Sequence, residues 1–280
     1  MIVPKIVPKQ PLPPRLYKYQ PFNSQTLTNL KRGWIWFSAP SNVNDPYDCA
    51  AWVAQTDEIS ETDLQKLLTF FHQRDPALMA GWTPDELGKF FINSARKAYD
   101  EHRTIQREQR GIACFSATVT DIMMWSHYAH GHRGFCLEFD TSQLPFSEAL
   151  DVSYVDKPPV INPVDVLIQE PSEDESHELL RAFVLTKARC WSYEQEWRLR
   201  HKEPSKRYGY SDPEGNTPLA GIYFGAEMDP AHKDIIGRVT LGEGIQLHEM
   251  RREPRSFTLR SEAVTYTLPT VGGGPRARKE

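Results

Sequence analysis

One stretch constrains this chain more than any other: residues 112–140, IACFSATVTDIMMWSHYAHGHRGFCLEFD. It reads as strand, turn, helix, turn, strand. Ile112–Phe115 is a short apolar run. Thr118, followed three residues later by Asp121, has the spacing of a helix-capping pair ahead of an apolar run. The pattern predicts a helix over Ile122–His130, with Gly131 and Gly134 placed to end it and turn the chain. Phe135–Phe139 alternates, which puts Phe135, Leu137 and Phe139 on one face and Cys136, Glu138 and Asp140 on the other. Trp125, Ser126, His127, Tyr128, His130 and His132 crowd the connection, a density of polar aromatic side chains unusual for plain core.

The rest of the chain alternates similar pieces. Residues 1–14 hold five prolines and read as an extended arm or disordered tail. Leu16–Tyr19 is a short strand, followed by a helix over TLTNLKR that Gly33 stops. WIWFS is the next strand, Asn44-Asp45-Pro46 marks a turn, and the loop Asn42–Asp48 is best read as an Asx-turn fixing the chain after that strand. Residues 57–110 are helical, with Pro84 in the first turn of the longer helix. Its basic end is a solvated face. A strand over Val152–Val155 precedes a helix carrying Leu179, Leu180, Phe183, Val184 and Leu185, whose acidic entry suits the helix dipole. GIYFG is a strand that leads to a helix near Asp229–Ile236. VTLGEG, IQLHEM and FTLRS are further strand candidates, and VGGGPRARKE a flexible tail. The expected fold is α+β: one domain over residues 15–268 with a mixed or antiparallel split sheet, a helical insertion over 57–110, an arm over 1–14 and a tail over 269–280.

Composition excludes several classes. A net charge of −4 implies no general affinity for nucleic acid or anionic membrane. No apolar run approaches a membrane span, and the prolines break any signal peptide. The four cysteines, Cys49, Cys114, Cys136 and Cys190, are widely spaced with no CxxC pair. They read as reduced thiols of a cytoplasmic protein.

A second stretch carries chemistry. As a strand, WSYEQEWRL puts Glu194, Glu196 and Arg198 on one face and Tyr193, Gln195, Trp197 and Leu199 on the other. Two carboxylates beside a guanidinium are costly to bury unless paired. The plain reading is an exposed face with an Arg198–Glu196 contact worth little. Trp191, Tyr193 and Trp197 add a partly dry wall that can tune a carboxylate.

LYKYQPFNSQTLTNLKRGWIWFSAPSNVNDPYDC, CFSATVTDIMMWSHYAHGHRGFCLEFD, WSYEQEWRL and GIYFGAEMD, in that order, resemble the bacterial and phage family called domain of unknown function 2971. The resemblance spans roughly residues 15–240. More remotely, the layout resembles that of ADP-ribosyltransferases: a first strand with a polar anchor, a second ending in a hydroxyl residue before a helix, and a late strand carrying an ExE glutamate. The resemblance implies NAD as the small-molecule substrate, a transfer to an unknown macromolecular acceptor or to water, and a toxin or phage-defence setting. It implies Glu196 as catalytic glutamate, with Glu194 positioning the acceptor. Ser116 would orient the ribose or Glu196, and Tyr128 would stack on nicotinamide with His127 beside it. Where that layout has Arg or His, this chain has Tyr17-Lys18-Tyr19. Lys18 can meet a phosphate as a point charge, and Arg198 is a second pyrophosphate candidate.

Two other readings compete. His127, His130 and His132, with Glu138 or Asp140, could serve a metal-dependent hydrolase or nuclease. No metal is expected, because the histidines lack a complete tetrahedral set at the usual spacing. A non-catalytic module would use the same aromatic residues as binding hot spots.

Overall fold

The computed structural model describes residues 8–49, 51–79, 81–168, 173–211 and 216–267, without the side chains of residues 56, 78, 79, 166 and 173–176. Part of the proline-rich arm (residues 1–7) and the whole expected tail lie outside the described residues. In chain order come β1 (Arg15–Gln20), α1 (Ser24–Arg32), β2 (Trp34–Phe37), β3 (Trp52–Val53), α2 (Glu61–Arg74), α3 (Pro84–Glu108), β4 (Gly111–Ser116), α4 (Ile122–Tyr128) and β5 (Phe135–Asp140). Then follow β6 (Leu150–Asp151), β7 (Ser153–Val155), β8 (Val160–Ile161), α5 (Pro163–Ile168), α6 (Glu173–Val184), β9 (Thr186–Ala188) and β10 (Glu196–His201). β11 (Lys206–Gly209), β12 (Leu219–Phe224), α7 (Pro230–Val239), β13 (Gln246–Arg252) and β14 (Leu259–Val264) complete the run. The fold is α+β with a large mixed sheet, as the pattern led us to expect. Among the described residues no helix is long and apolar enough to cross a membrane.

The chain packs as two compact units, each built from interleaved stretches: 1–12, 36–114 and 147–208 in the first, and 13–35, 115–146 and 209–280 in the second. The first holds the helical region expected over 57–110. α3 starts with a capping box between Thr83 and Glu86, and Pro84 fills the position whose N–H has no helical partner. Leu67, Ile92 and Val164 form one core, with Phe71 and Phe91 stacked 3.7 Å apart beside it. Cys49, Ala51, Leu150, Ile161, Phe183, Val184 and Leu185 form another. Three short strand pairs surround these cores: β3 with β8 and β7 with β9 are parallel, β10 with β6 antiparallel.

The second unit is built on strands in the order β14-β13-β12-β5-β1. β12 and β13 run parallel with α7 as their crossover, and the other pairs are antiparallel. Phe139 sits at the centre of its core, stacked on Phe146 at 4.2 Å and meeting Phe115 and Tyr210 edge-on. Asn23 and Thr26 close a capping box on α1, and Gly33 ends it at φ +60°.

Three local expectations are corrected. The cap of α4 is Asp121, whose side chain accepts the N–H groups of Met123 and Met124, while Thr118 is taken up in the preceding turn. α4 stops at Tyr128, because His130, Gly131 and His132 all adopt left-handed backbone. VTLGEG is no strand: Val239 closes α7, and glycines at positive φ turn the chain after it.

The left-handed turn exists because two glycines let backbone approach backbone. Gly225 donates to the Gly134 carbonyl at 2.9 Å, and Glu227 to that of His132 at 3.0 Å. A Cβ at Gly225 would stand 2.1 Å from the His132 carbonyl oxygen. We therefore expect Gly225→Ala to destabilise the protein by about 2–3 kcal/mol, because neither backbone obstacle can rotate away. The check is a lower urea midpoint at unchanged m-value.

Candidate functional site

The site is assembled around β10 in the first unit. WSYEQEWRL is not one strand. Arg189–Glu194 forms a 3₁₀ turn, Gln195 takes left-handed backbone at φ +44°, and the strand begins at Glu196. Glu194 and Glu196 therefore do not share a strand face, but both reach the same lysine. Lys187 Nζ lies 2.5 Å from Glu194 Oε2 and 3.2 Å from Glu196 Oε2, and 4.9 Å from the Trp191 ring centre.

Arg198 lies two residues along β10 and is fully buried. Its Nε donates to Glu196 Oε1 at 2.7 Å, and Nη2 to Glu196 Oε2 at 3.1 Å. A second fork meets Asp48, with Nη1 to Oδ1 at 2.8 Å and Nη2 to Oδ2 at 2.6 Å. Nη1 also donates to the Val184 carbonyl at the end of α6, at 2.9 Å. All five guanidinium N–H groups are thus used. The NDP turn aims Asp48: Asp45 accepts the Tyr47 N–H at 2.9 Å in an Asx-turn, the Asp48 N–H returns to the Asp45 carbonyl, and Cys49 follows at φ +55°. Glu196 is fixed from its backbone as well, since its N–H donates to the Tyr154 hydroxyl at 2.8 Å.

Three carboxylates here face two cations, all five side chains at most 4% exposed. Burial by itself would raise the Glu196 carboxyl, but Arg198 and Lys187 outweigh it and hold the group well below the usual carboxylate range. Burial would likewise lower Lys187, and Glu196 and Glu194 hold it above its ordinary value instead. Burial pushes the Cys49 thiol up to about 12, against the pull of Arg198, so it is a protonated neighbour of the cluster. Glu196 and Lys187 keep their charges at neutral pH because the opposite charges beside them offset their burial.

The residues singled out in sequence fall into two sets. Glu194, Glu196 and Arg198 come together in the first unit. Arg198 is corrected as a pyrophosphate ligand, since every one of its donors is spent inside the protein. The plain reading of an exposed Glu196–Arg198 contact is corrected too: the pair is real but buried. Tyr17, Lys18, Ser116, His127 and Tyr128 belong to the second unit. Ser116 is fully buried, and its hydroxyl accepts the Thr118 N–H at 3.1 Å. Tyr17 pairs in register with Glu138 and Ser116 and meets Tyr223 edge-on at 5.9 Å. The Lys18 ammonium lies 5.0 Å from the Phe115 ring centre. Tyr128 is half-buried on α4, with exposed His127 beside it at 6.2 Å between rings.

Among the described residues no three His, Cys, Asp or Glu side chains are placed to hold a metal ion. Glu138 is engaged by Arg15 and by the Tyr223 hydroxyl at 2.5 Å, and Asp140 by Arg15 and Ser142. Sequence reasoning missed Asp48, Lys187 and Tyr154. A signal existed for Lys187, a cation two residues after the apolar run Phe183–Leu185. Asp48 was visible only as the end of a turn.

The signs of these shifts predict a pH dependence. Glu196 is depressed, so its contribution is complete above the unfolded carboxyl value of about 4.3 and is lost as pH falls toward its folded value. Glu196→Gln should cost about 3–5 kcal/mol at pH 7 by breaking the buried carboxylate fork on Arg198 and the contact with Lys187. The wild-type advantage should shrink by about 1 kcal/mol or more at pH 3. Urea midpoints of both proteins at the two pH values give the measurement, and a pH-independent difference would assign the loss to packing.

Compared with known proteins, residues 124–199 match a family described as "Protein of unknown function (DUF2971)". The matched segment begins in α4 and ends in β10, so it takes in Glu194, Glu196, Arg198 and Lys187. No curated protein and no solved structure matches the chain.

Proposed function

We propose that this protein acts on NAD, as an ADP-ribosyltransferase or NAD glycohydrolase, with Glu196 as the charge-stabilising carboxylate. One observation carries the reading: Glu196 is held as a buried anion, with Glu194 on the same lysine, Trp191 beside that lysine and the Tyr154 hydroxyl on the Glu196 backbone N–H.

Breaking the nicotinamide–ribose bond sends the bonding pair to the nicotinamide nitrogen and leaves oxocarbenium character on the ribose. A fixed carboxylate answers that charge without reorganising. The contacts of Glu196 are unequal. Arg198 holds both oxygens, whereas Lys187 touches it at 3.2 Å and is itself held by Glu194 at 2.5 Å. An incoming ribose hydroxyl would displace the Lys187 contact and leave the Arg198 fork intact. The acceptor, a macromolecular group or water, then attacks the ribose carbon and gives up its proton to solvent. This chemistry is drawn from the first unit alone, and Tyr17, Lys18, Ser116, His127 and Tyr128 receive no step in it. Consumption of NAD, or marking of a macromolecule, suits a toxin or phage-defence role. The four free cysteines suit a reducing cytoplasm.

The test measures nicotinamide release from NAD, with and without a cell-lysate acceptor, beside NAD-dependent thermal shifts. Glu196→Gln is assayed below its own melting temperature, so that a folded variant is compared. We expect wild type to release nicotinamide, and the variant to bind NAD but turn over at least about 100-fold more slowly. A wild type that neither releases nicotinamide nor shifts its melt with NAD would leave the cluster a purely structural one.

A further inference from the structure

The second unit holds a serine and a histidine within hydrogen-bond distance of each other. Ser126 is exposed on α4. Its hydroxyl donates to the Ile122 carbonyl at 2.8 Å, and its Oγ lies 3.1 Å from His132 Nε2. We propose that Ser126 is an activated nucleophile with His132 as its general base, and that the pair cleaves esters with an apolar acyl group.

The imidazole is placed by the fold rather than by chance contact. His132 follows His130 and Gly131 in left-handed backbone, at φ +50°, +61° and +65° in turn. Non-glycine residues hold such conformations only where the surroundings impose them. Here they do. The His132 N–H donates to the Trp125 carbonyl at 3.1 Å, the Gly131 N–H to that of Ser126, and the His132 carbonyl accepts the Glu227 N–H. The Trp125 ring lies nearly parallel to the imidazole, 6.4 Å away, and is itself locked by its indole N–H to the Val119 carbonyl at 2.7 Å. Glu227, held by Arg252, supplies a carboxylate whose field reaches the imidazole. Burial holds His132 below its ordinary value against the pull of Glu227, so the ring is neutral at pH 7.

The chemistry balances with water as the only co-reactant. The Ser126 hydroxyl turns from the Ile122 carbonyl to Nε2 and passes its proton there as Oγ bonds to the ester carbonyl carbon. The carbon–oxygen bond to the alcohol breaks, and the alcohol leaves with that proton. Water then attacks the acyl-serine, giving one proton to His132, which returns it to Oγ as the acid departs. Specificity comes from the same helix. Ile122 and Met123, 37% and 42% exposed, sit one turn before Ser126 and offer an apolar bed for the acyl chain.

The inference does not rest on the NAD reading, and its test uses neither NAD nor Glu196. The full chain is treated with a fluorophosphonate probe, and the labelled peptide is identified by mass spectrometry. Hydrolysis of p-nitrophenyl butyrate is followed in parallel. We expect label on Ser126 and ester turnover, both absent in Ser126→Ala. His132→Asn keeps a residue tolerant of left-handed backbone but removes the base. It should slow labelling by at least about 100-fold with an unchanged melt. Failure of wild-type Ser126 to label, label confined to another serine, or a folded His132→Asn labelling at the wild-type rate would each overturn the proposal.

Discussion

A buried guanidinium with every donor occupied organises the first unit. Arg198 ties together a strand, the loop that ends in Asp48 and the C-terminal carbonyl of α6. Taking such a charge out of water is tolerable only because two carboxylate forks and a helix-end carbonyl replace its hydration. The interaction is therefore directional as well as stabilising. A lysine, as a point charge, could not satisfy two planar carboxylates at once. The neighbouring Lys187 meets its two glutamates by a long and a short contact instead.

The second unit relies on close backbone approach. Gly134 lies where a Cβ would stand 2.1 Å from the Gln20 carbonyl oxygen, and Gly225 where it would meet that of His132. These two absences of side chain let the turn after α4 press against the strands of its own unit. They fix His132 against Trp125 and Ser126. Polar chemistry thus gathers at a turn whose strain is carried by packing around it.

Several elements were legible in the residues because their signals are short-range. Gly33 ends α1, Pro84 opens α3, and Asp45 makes the Asx-turn, each through the conformational habit of one residue. The grouping of Glu194, Glu196 and Arg198 was legible too, although its geometry was not. Gln195 in left-handed backbone rolls Glu194 off the strand, and no propensity of glutamine announces that. His130 and His132 take left-handed backbone in the turn after α4, yet nothing in their spacing marked Ser126 as the partner of His132.

What the sequence by itself determined is the α+β character and many of the longer elements, since apolar periodicity and turn residues act over a few positions. Only the tertiary structure decided which charges meet. Arg198 and Asp48 lie 150 residues apart, and Arg198 faces Asp48 and Glu196 rather than a phosphate. A carboxylate and a guanidinium in a sequence carry no label saying whether water or each other will solvate them. Burial makes that choice, because once both leave water only a matched partner can hold their charge.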